Sequence, residues 1–326
     1  MLVLLQAGAD LVVGPLQKAA ADVIANHSSL PVTTLLLNQI SARANSVSNT
    51  QDDTQGDAVT GKQSTRLYQF GLPLEEEARQ VAERAWLHGY KRALSITPEG
   101  HWGERLFNAF ADHWRALGGQ LLESQDYPRP NQDFAGPVKR ILNVDASELR
   151  AKRLGQTLGR AIESQSRRRG DADFVFLAGL PDEARQLRPQ LDFYNAVNLP
   201  VLATSHVFRG TPNRVADQDL NGITFADMPW IIRPEHPSFS PLRAVTDQWP
   251  MQAARHSRLH ALGIDAYQLV PALVKLRVQS FARLPGATGE LRITRDGRVQ
   301  RQLSWAKFVD GQPRPLGNSG INPSLN

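Results

Sequence analysis

Residues Asp171–Ser205 read DADFVFLAGLPDEARQLRPQLDFYNAVNLPVLATS, and this stretch decides the fold. Phe174–Ala178 is apolar at consecutive positions, so both faces of the extended chain need cover, as in a central parallel strand. A helical stretch from Asp182 to Val197 follows, and then a second short strand from Leu199 to Ala203. Working outward, the same strand, turn and helix unit recurs upstream. Asp10–Val13, Gly14-Pro15 and a helix from Gln17 to Asn26 form one instance. A strand from Leu30 to Leu37 follows. Another group starts at Tyr68: Pro73 precedes a helix from Leu74 to His88, with Glu75, Glu76 and Glu77 at its positive end and Gly89 as its C-cap. A strand Arg92–Thr97, a helix Trp102–Leu117 and a strand Gln120–Tyr127 complete that group. Such alternation predicts an α/β protein with mostly parallel sheets and helices on both faces.

After about residue 228 the pattern changes to helices over Ser240–Trp249 and Arg255–Gln279, with Gly263 and Pro271 as expected bends. Short strands are expected over Gly289–Thr294 and Val299–Trp305, and the turn-rich tail 313–326 is expected to be disordered. Residues 38–66 are polar and aperiodic and read as a surface loop. The opening MLVLLQAGAD has neither the basic n-region nor the long apolar run of a signal peptide. It reads as the end of a helix, so the first strand and helix of the domain are expected to be missing.

The chain has 326 residues, 41% of them apolar, and a formal net charge of +5, with no cysteine. The lack of thiols excludes disulfides, thiolate metal sites and cysteine nucleophiles, and leaves the redox compartment open. No apolar run reaches the length of a membrane-spanning helix.

The motifs that hint at chemistry fail their context tests. Gly56 to Lys62 has phosphate-loop spacing, but Gln63 replaces the Ser or Thr that reaches magnesium, and no buried strand leads in. His256 and His260 are four apart on an expected helix without the Glu of a zinc protease or a third ligand. Ser319 lies in GNSG, not in a nucleophile elbow. No dinucleotide fingerprint occurs. No catalytic constellation, cofactor or metal is therefore expected. Glu148–Gly170 carries seven basic residues against two acidic ones. It lacks the aromatics that stack on bases, so nucleic acid is not an expected partner and a solvated helix face or a protein contact is.

Three stretches carry a resemblance. GADLVVGPL (8–16), YQFGLPLEEEARQVAERAWLHGYKRALSI (68–96) and the stretch Asp171–Ser205 resemble the lobes of type I periplasmic-binding proteins. DFAGPVKRILNVDASELRAKRL (133–154), SRRRGDADFVFLAG (166–179), Leu262–Tyr267 and Leu303-Ser304-Trp305 resemble, more narrowly, the C-terminal domain of the LpoA family of penicillin-binding-protein activators. The resemblance implies a first lobe from 1–70 with 230–285 and a second from 71–229 with 286–312. It implies a non-catalytic activator whose partner is a peptidoglycan synthase, a bifunctional penicillin-binding protein. It also implies a place at the periplasmic face of the outer membrane, through a lipid anchor absent from this chain. The alternative is a periplasmic receptor for a small solute such as an amino acid or amide, although Leu16–Ala20 offers no hydroxyl for a carboxylate. Any cleft is expected to be lined by Gly14, Leu16, Asn38, Gln39, Tyr68, Gly179 and Ser205, at the C-terminal ends of strands. Partner docking is expected at Arg150, Arg153, Arg167, Arg168 and Arg169.

Overall fold

The computed structural model describes residues 8–26, 30–40, 66–129, 134–159 and 167–317. The chain divides into two compact units, residues 1–73 with 236–302 and residues 74–235 with 303–326.

In the first unit, β1 (Leu11–Val13), β2 (Thr33–Leu36) and β3 (Leu67–Gln69) form a parallel sheet in that order, and the helix Lys18–Ala25 links the first two. The chain later returns through helices Ser240–Gln248, Pro250–Leu269 and Leu273–Val278, the last two joined by a 3₁₀ turn at Val270–Ala272. Their apolar stripe (Leu262, Ala266, Leu269, Leu273 and Leu276) packs on Leu35, Tyr68 and Phe70. A small antiparallel sheet of β9 (Leu284–Pro285), β10 (Glu290–Ile293) and β11 (Val299–Gln302) closes this unit.

The second unit holds a seven-stranded sheet. Its strands are β4 (Arg92–Pro98), β5 (Gln120–Tyr127), β6 (Phe174–Leu177), β7 (Val201–Ala203), β8 (Ile223–Asp227), β12 (Ser304–Val309) and β13 (Gln312–Pro315), in the order β13-β12-β8-β7-β6-β4-β5. The five strands from β4 to β8 are parallel, and β12 and β13 run antiparallel at one edge. Helices Leu74–Leu87 and His101–Ala116 pack over Phe174 and Phe176, with the rings of Phe110 and Phe176 stacked at 4.1 Å. Leu303-Ser304-Trp305 fastens the last crossing: the Leu303 amide donates to Gln80 at 2.9 Å, and Arg84 lies over the Trp305 ring.

Several expectations need correcting. The hairpin of β10 and β11 belongs with the first unit, so residues 286–302 do not join the second; Leu291, Ile293 and Val299 lie in the core around Tyr68. Residues 313–315 are not disordered but pair with β12. The long late helix breaks at His256, where φ is −123° and ψ is 24°, rather than at Gly263. His256 and His260 therefore do not share one regular helical face. The phosphate-loop-like residues 56–63, Ser319 and residues 1–7, on which the missing first elements turned, lie outside the described residues.

Candidate functional site

Open α/β sheets bind ligands beyond the carboxyl ends of their strands, where successive connections leave on opposite faces. In the second unit that point lies between β4 and β6. The connection from β4 runs to β5 on one side, and that from β6 runs to β7 on the other. Two helix N-termini therefore open there, after Gly100 and after Leu180.

The chain's own side chains fill this crevice. Tyr127, at the end of β5, reaches past β4 so that its hydroxyl lies 3.0 Å from the Ala178 carbonyl and 2.7 Å from Glu183 Oε2. Burial, with the Glu183 charge beside it, pushes the phenol far above its ordinary pKa, so it stays a neutral donor. Glu183 sits three residues into its helix, and its Oε2 accepts the Leu180 amide at 2.7 Å, closing the helix N-terminus on itself. Arg129 Nε donates to Glu183 Oε1 at 3.0 Å, and its guanidinium lies 4.7 Å over the Trp102 ring. Trp102 in turn meets the edge of His206 at 5.1 Å. One strand along, Glu77 Oε2 accepts the Ser205 amide at 3.1 Å and the Ser205 hydroxyl at 2.8 Å.

An acidic group that could take a ligand's amine is already paired with Arg129. The Leu180 amide, which could take a ligand's carboxylate, already holds Glu183. This arrangement can brace the end of a sheet, and it leaves few polar groups for a small solute.

The residues expected to line a cleft fall out unevenly. In the first unit Gly14, Leu16, Asn38 and Gln39 do come together beyond β1 and β2. The Gly14 amide donates to the Leu35 carbonyl, Asn38 Nδ2 donates to the Leu16 carbonyl at 2.9 Å, and the Gln39 amide donates back to Asn38 Oδ1. Tyr68 instead lies in the core with Arg277 over its ring. Gly179 and Ser205 belong to the second unit and are both buried. A Cβ on Gly179 would stand 2.9 Å from the Tyr127 hydroxyl, so the glycine makes room for the tyrosine rather than for a ligand.

The arginine segment divides as well. Arg150 and Arg153 are exposed on the helix Val144–Leu158, and Arg167 is exposed where the described chain resumes. Arg168 is turned inward, donating to the Asn195 carbonyl at 2.8 Å. Arg169 is nearly buried between Glu123 at 2.9 Å and Asp171 at 2.7 Å. Its hydrogen bond holds the Asp171 carboxyl below the ordinary range. These last two arginines brace the fold.

The sequence reading missed Trp102, Tyr127, Arg129 and His206. It explained Glu77 by the helix dipole alone, whereas the structure buries Glu77 against Ser205. The signal that was available is Leu180-Pro181-Asp182-Glu183, a helix start with its own carboxylate three residues in. Among the described residues no group of three or more His, Asp or Glu could hold a metal.

With this geometry in place, known proteins can be set beside it. The family model described as "LppC putative lipoprotein" matches residues 2–311. The chain belongs to that family. A relative from Photobacterium profundum, named penicillin-binding protein activator LpoA, is 32% identical over 97% of this chain and 47% of its own length. The chain thus spans about half the length of the curated relatives it matches. Among solved structures, the LpoA C-domain from Haemophilus influenzae, described as a regulator of PBP1A, is 25% identical with a TM-score of 0.63, covering 95% of this chain and 83% of that one. A "putative branched-chain amino acid ABC transporter" from Chromobacterium violaceum is 27% identical with a TM-score of 0.62, covering 93% and 82%. The fold is therefore the two-lobed periplasmic-binding-protein type. No helix among the described residues is long and apolar enough to cross a membrane.

Proposed function

We propose that this chain is the regulatory domain of an LpoA-type activator, which stimulates a bifunctional penicillin-binding protein by protein contact and performs no catalysis itself. The reading places the full protein at the periplasmic face of the outer membrane through a lipid anchor. The geometric observation that supports it is the filled crevice between β4 and β6. Tyr127, Glu183 and Arg129 satisfy one another where a receptor of this fold would present polar groups to a solute. Family membership and the activator names of the relatives supply the rest. The test is reconstituted glycan polymerisation and peptide crosslinking by a purified bifunctional synthase, with and without the chain. A rise in rate that saturates with the chain is expected, and an unchanged rate together with no measurable binding would refute the proposal.

The Chromobacterium structure favours a second reading, a receptor for a small amino acid or amide. Calorimetry against amino acids, amides and muropeptides separates the two: micromolar binding of a solute supports the receptor, and flat titrations are expected for the activator.

A further inference from the structure

The helical run Pro250–Val278 is apolar on two faces, and the first unit covers one of them. Leu262, Ala266, Leu269, Leu273 and Leu276 face the core. On the other side Tyr267 is 81% exposed, Val274 69% and Val278 78%, and Phe281 just beyond the helix is 79% exposed. Val274 and Val278, four apart, share one face of the helix Leu273–Val278, and Tyr267 lies on the preceding helix, before the 3₁₀ turn. At 1.5 Å per residue the stripe is roughly 20 Å long. It presents on the order of 500 Å² of apolar surface, the scale at which a patch on a single chain is often functional.

The segment that carries the stripe is basic in sequence. Between Gln248 and Gly289 the only carboxylate is Asp265, which is fully buried. Arg255, Arg258, Lys275, Arg277 and Arg283 lie in the same segment. Arg277 covers Tyr68, and Arg283 shares Glu290 at 3.6 Å. Two copies of the chain placed stripe to stripe would bring like charges together, which opposes self-association. An acidic rim around an apolar patch is the complement. Tyr267 and Phe281, both exposed, are aromatic anchors of the kind that carries much of the energy at protein interfaces, and the Arg150–Arg169 segment has none.

We propose that the stripe formed by Tyr267, Val274, Val278 and Phe281 docks onto an acidic-rimmed apolar patch of the penicillin-binding protein. This rests on the activator reading and names the surface that reading needs. The experiment compares the parent chain with the double variant Val274→Ser/Phe281→Ser and with Lys275→Glu. It measures binding to the detergent-solubilised synthase by biolayer interferometry at two salt concentrations. Melting temperature, self-association by light scattering and co-sedimentation with phosphatidylglycerol vesicles are followed in parallel. The double variant is expected to lose at least about tenfold in affinity with its melting temperature unchanged, because these side chains are solvent-exposed. Lys275→Glu is expected to slow association mainly at low salt. If the parent binds and the double variant binds equally well, this inference falls while the activator reading stands. If the parent does not bind the synthase, both fall. Loss confined to vesicle binding or to self-association overturns the proposal in favour of a lipid surface or a second copy.

Discussion

Asp265 holds the first unit together at one point, and replacing it by asparagine tests how. The residue sits inside the helix Pro250–Leu269, yet its side chain is fully buried. Its Oδ1 accepts the Ala287 amide at 2.7 Å, and its Oδ2 accepts the Thr288 amide at 2.7 Å and the Thr288 hydroxyl at 2.6 Å. Gly286 leaves space for the carboxylate, since a Cβ there would lie 2.5 Å from Oδ2. In Asp265→Asn the amide oxygen can serve both Thr288 donors, but the NH₂ then faces the Ala287 N–H. One buried donor left unmatched costs about 1–3 kcal/mol. Burial pushes the Asp265 carboxyl above its ordinary pKa, and the Thr288 and Ala287 bonds and the Arg301 charge do not cancel that rise. A neutral amide therefore recovers part of the desolvation cost. The mismatch still wins, because hydrogen bonds to a charged acceptor are roughly twice as strong as neutral ones. A net loss of about 2 kcal/mol, or about 4–8 °C in the melting temperature of this unit, is expected. Asp265→Ala should cost about 3–5 kcal/mol. The pH dependence carries a definite sign. A carboxyl whose folded pKa is raised adds stability as pH falls through that value, in full below the unfolded value near 3.9. Asparagine has no such contribution, so the gap in melting temperature between parent and variant should widen from pH 7 towards pH 4. Thermal melts followed by circular dichroism measure both. A variant that melts within about 1 °C of the parent, or a gap that narrows in acid, refutes the reasoning.

Tyr127→Phe removes the hydroxyl between Ala178 and Glu183 while keeping the ring, and should destabilise the second unit by about 1–2 kcal/mol in urea titrations. Two helical glycines should respond in opposite directions. Gly103→Ala places a Cβ 1.8 Å from the Pro98 carbonyl oxygen, so the helix must shift at a cost of about 3 kcal/mol or more. Gly263→Ala meets nothing within 4 Å in a helix interior, and should stabilise by about 0.5–1 kcal/mol. A stabilised Gly103→Ala or a destabilised Gly263→Ala in the same melts would show those packing assignments to be wrong.

The elements of the second unit were legible because period and burial coincide there. Phe174–Leu177 is buried at every position, as a strand apolar on both faces requires, and Glu75, Glu76 and Glu77 mark the start of a helix. The hairpin of β10 and β11 was assigned to the wrong unit for a physical reason. Its alternation gives a strand pair with one apolar face, but the pattern cannot say which core takes Leu291 and Ile293. The site was less legible still. Strand ends locate a crevice, yet whether that crevice is empty depends on long-range pairs such as Tyr127 with Glu183, 56 residues apart. A run of basic residues such as Arg168 and Arg169 reads as solvated until a half-buried Glu123 or an Asn195 carbonyl, 46 and 27 residues away, is placed beside it.

The two features that sequence reading could not supply bear on function together. A receptor of this fold spends its polar groups on a ligand, so the unmet donors and acceptors gather at the strand ends. In the second unit those groups are matched internally: the helix N-terminus after Leu180 is closed by Glu183, the carboxylate is paired with Arg129, and the hydroxyl of Ser205 is held by Glu77. Among the described residues an apolar surface is left exposed instead, on two consecutive helices, at Tyr267, Val274 and Val278. Exposed apolar area is lowered in free energy by covering it with another macromolecule rather than with a small polar solute. The balance of satisfied strand ends and an uncovered apolar surface is the one the proposed activator role calls for.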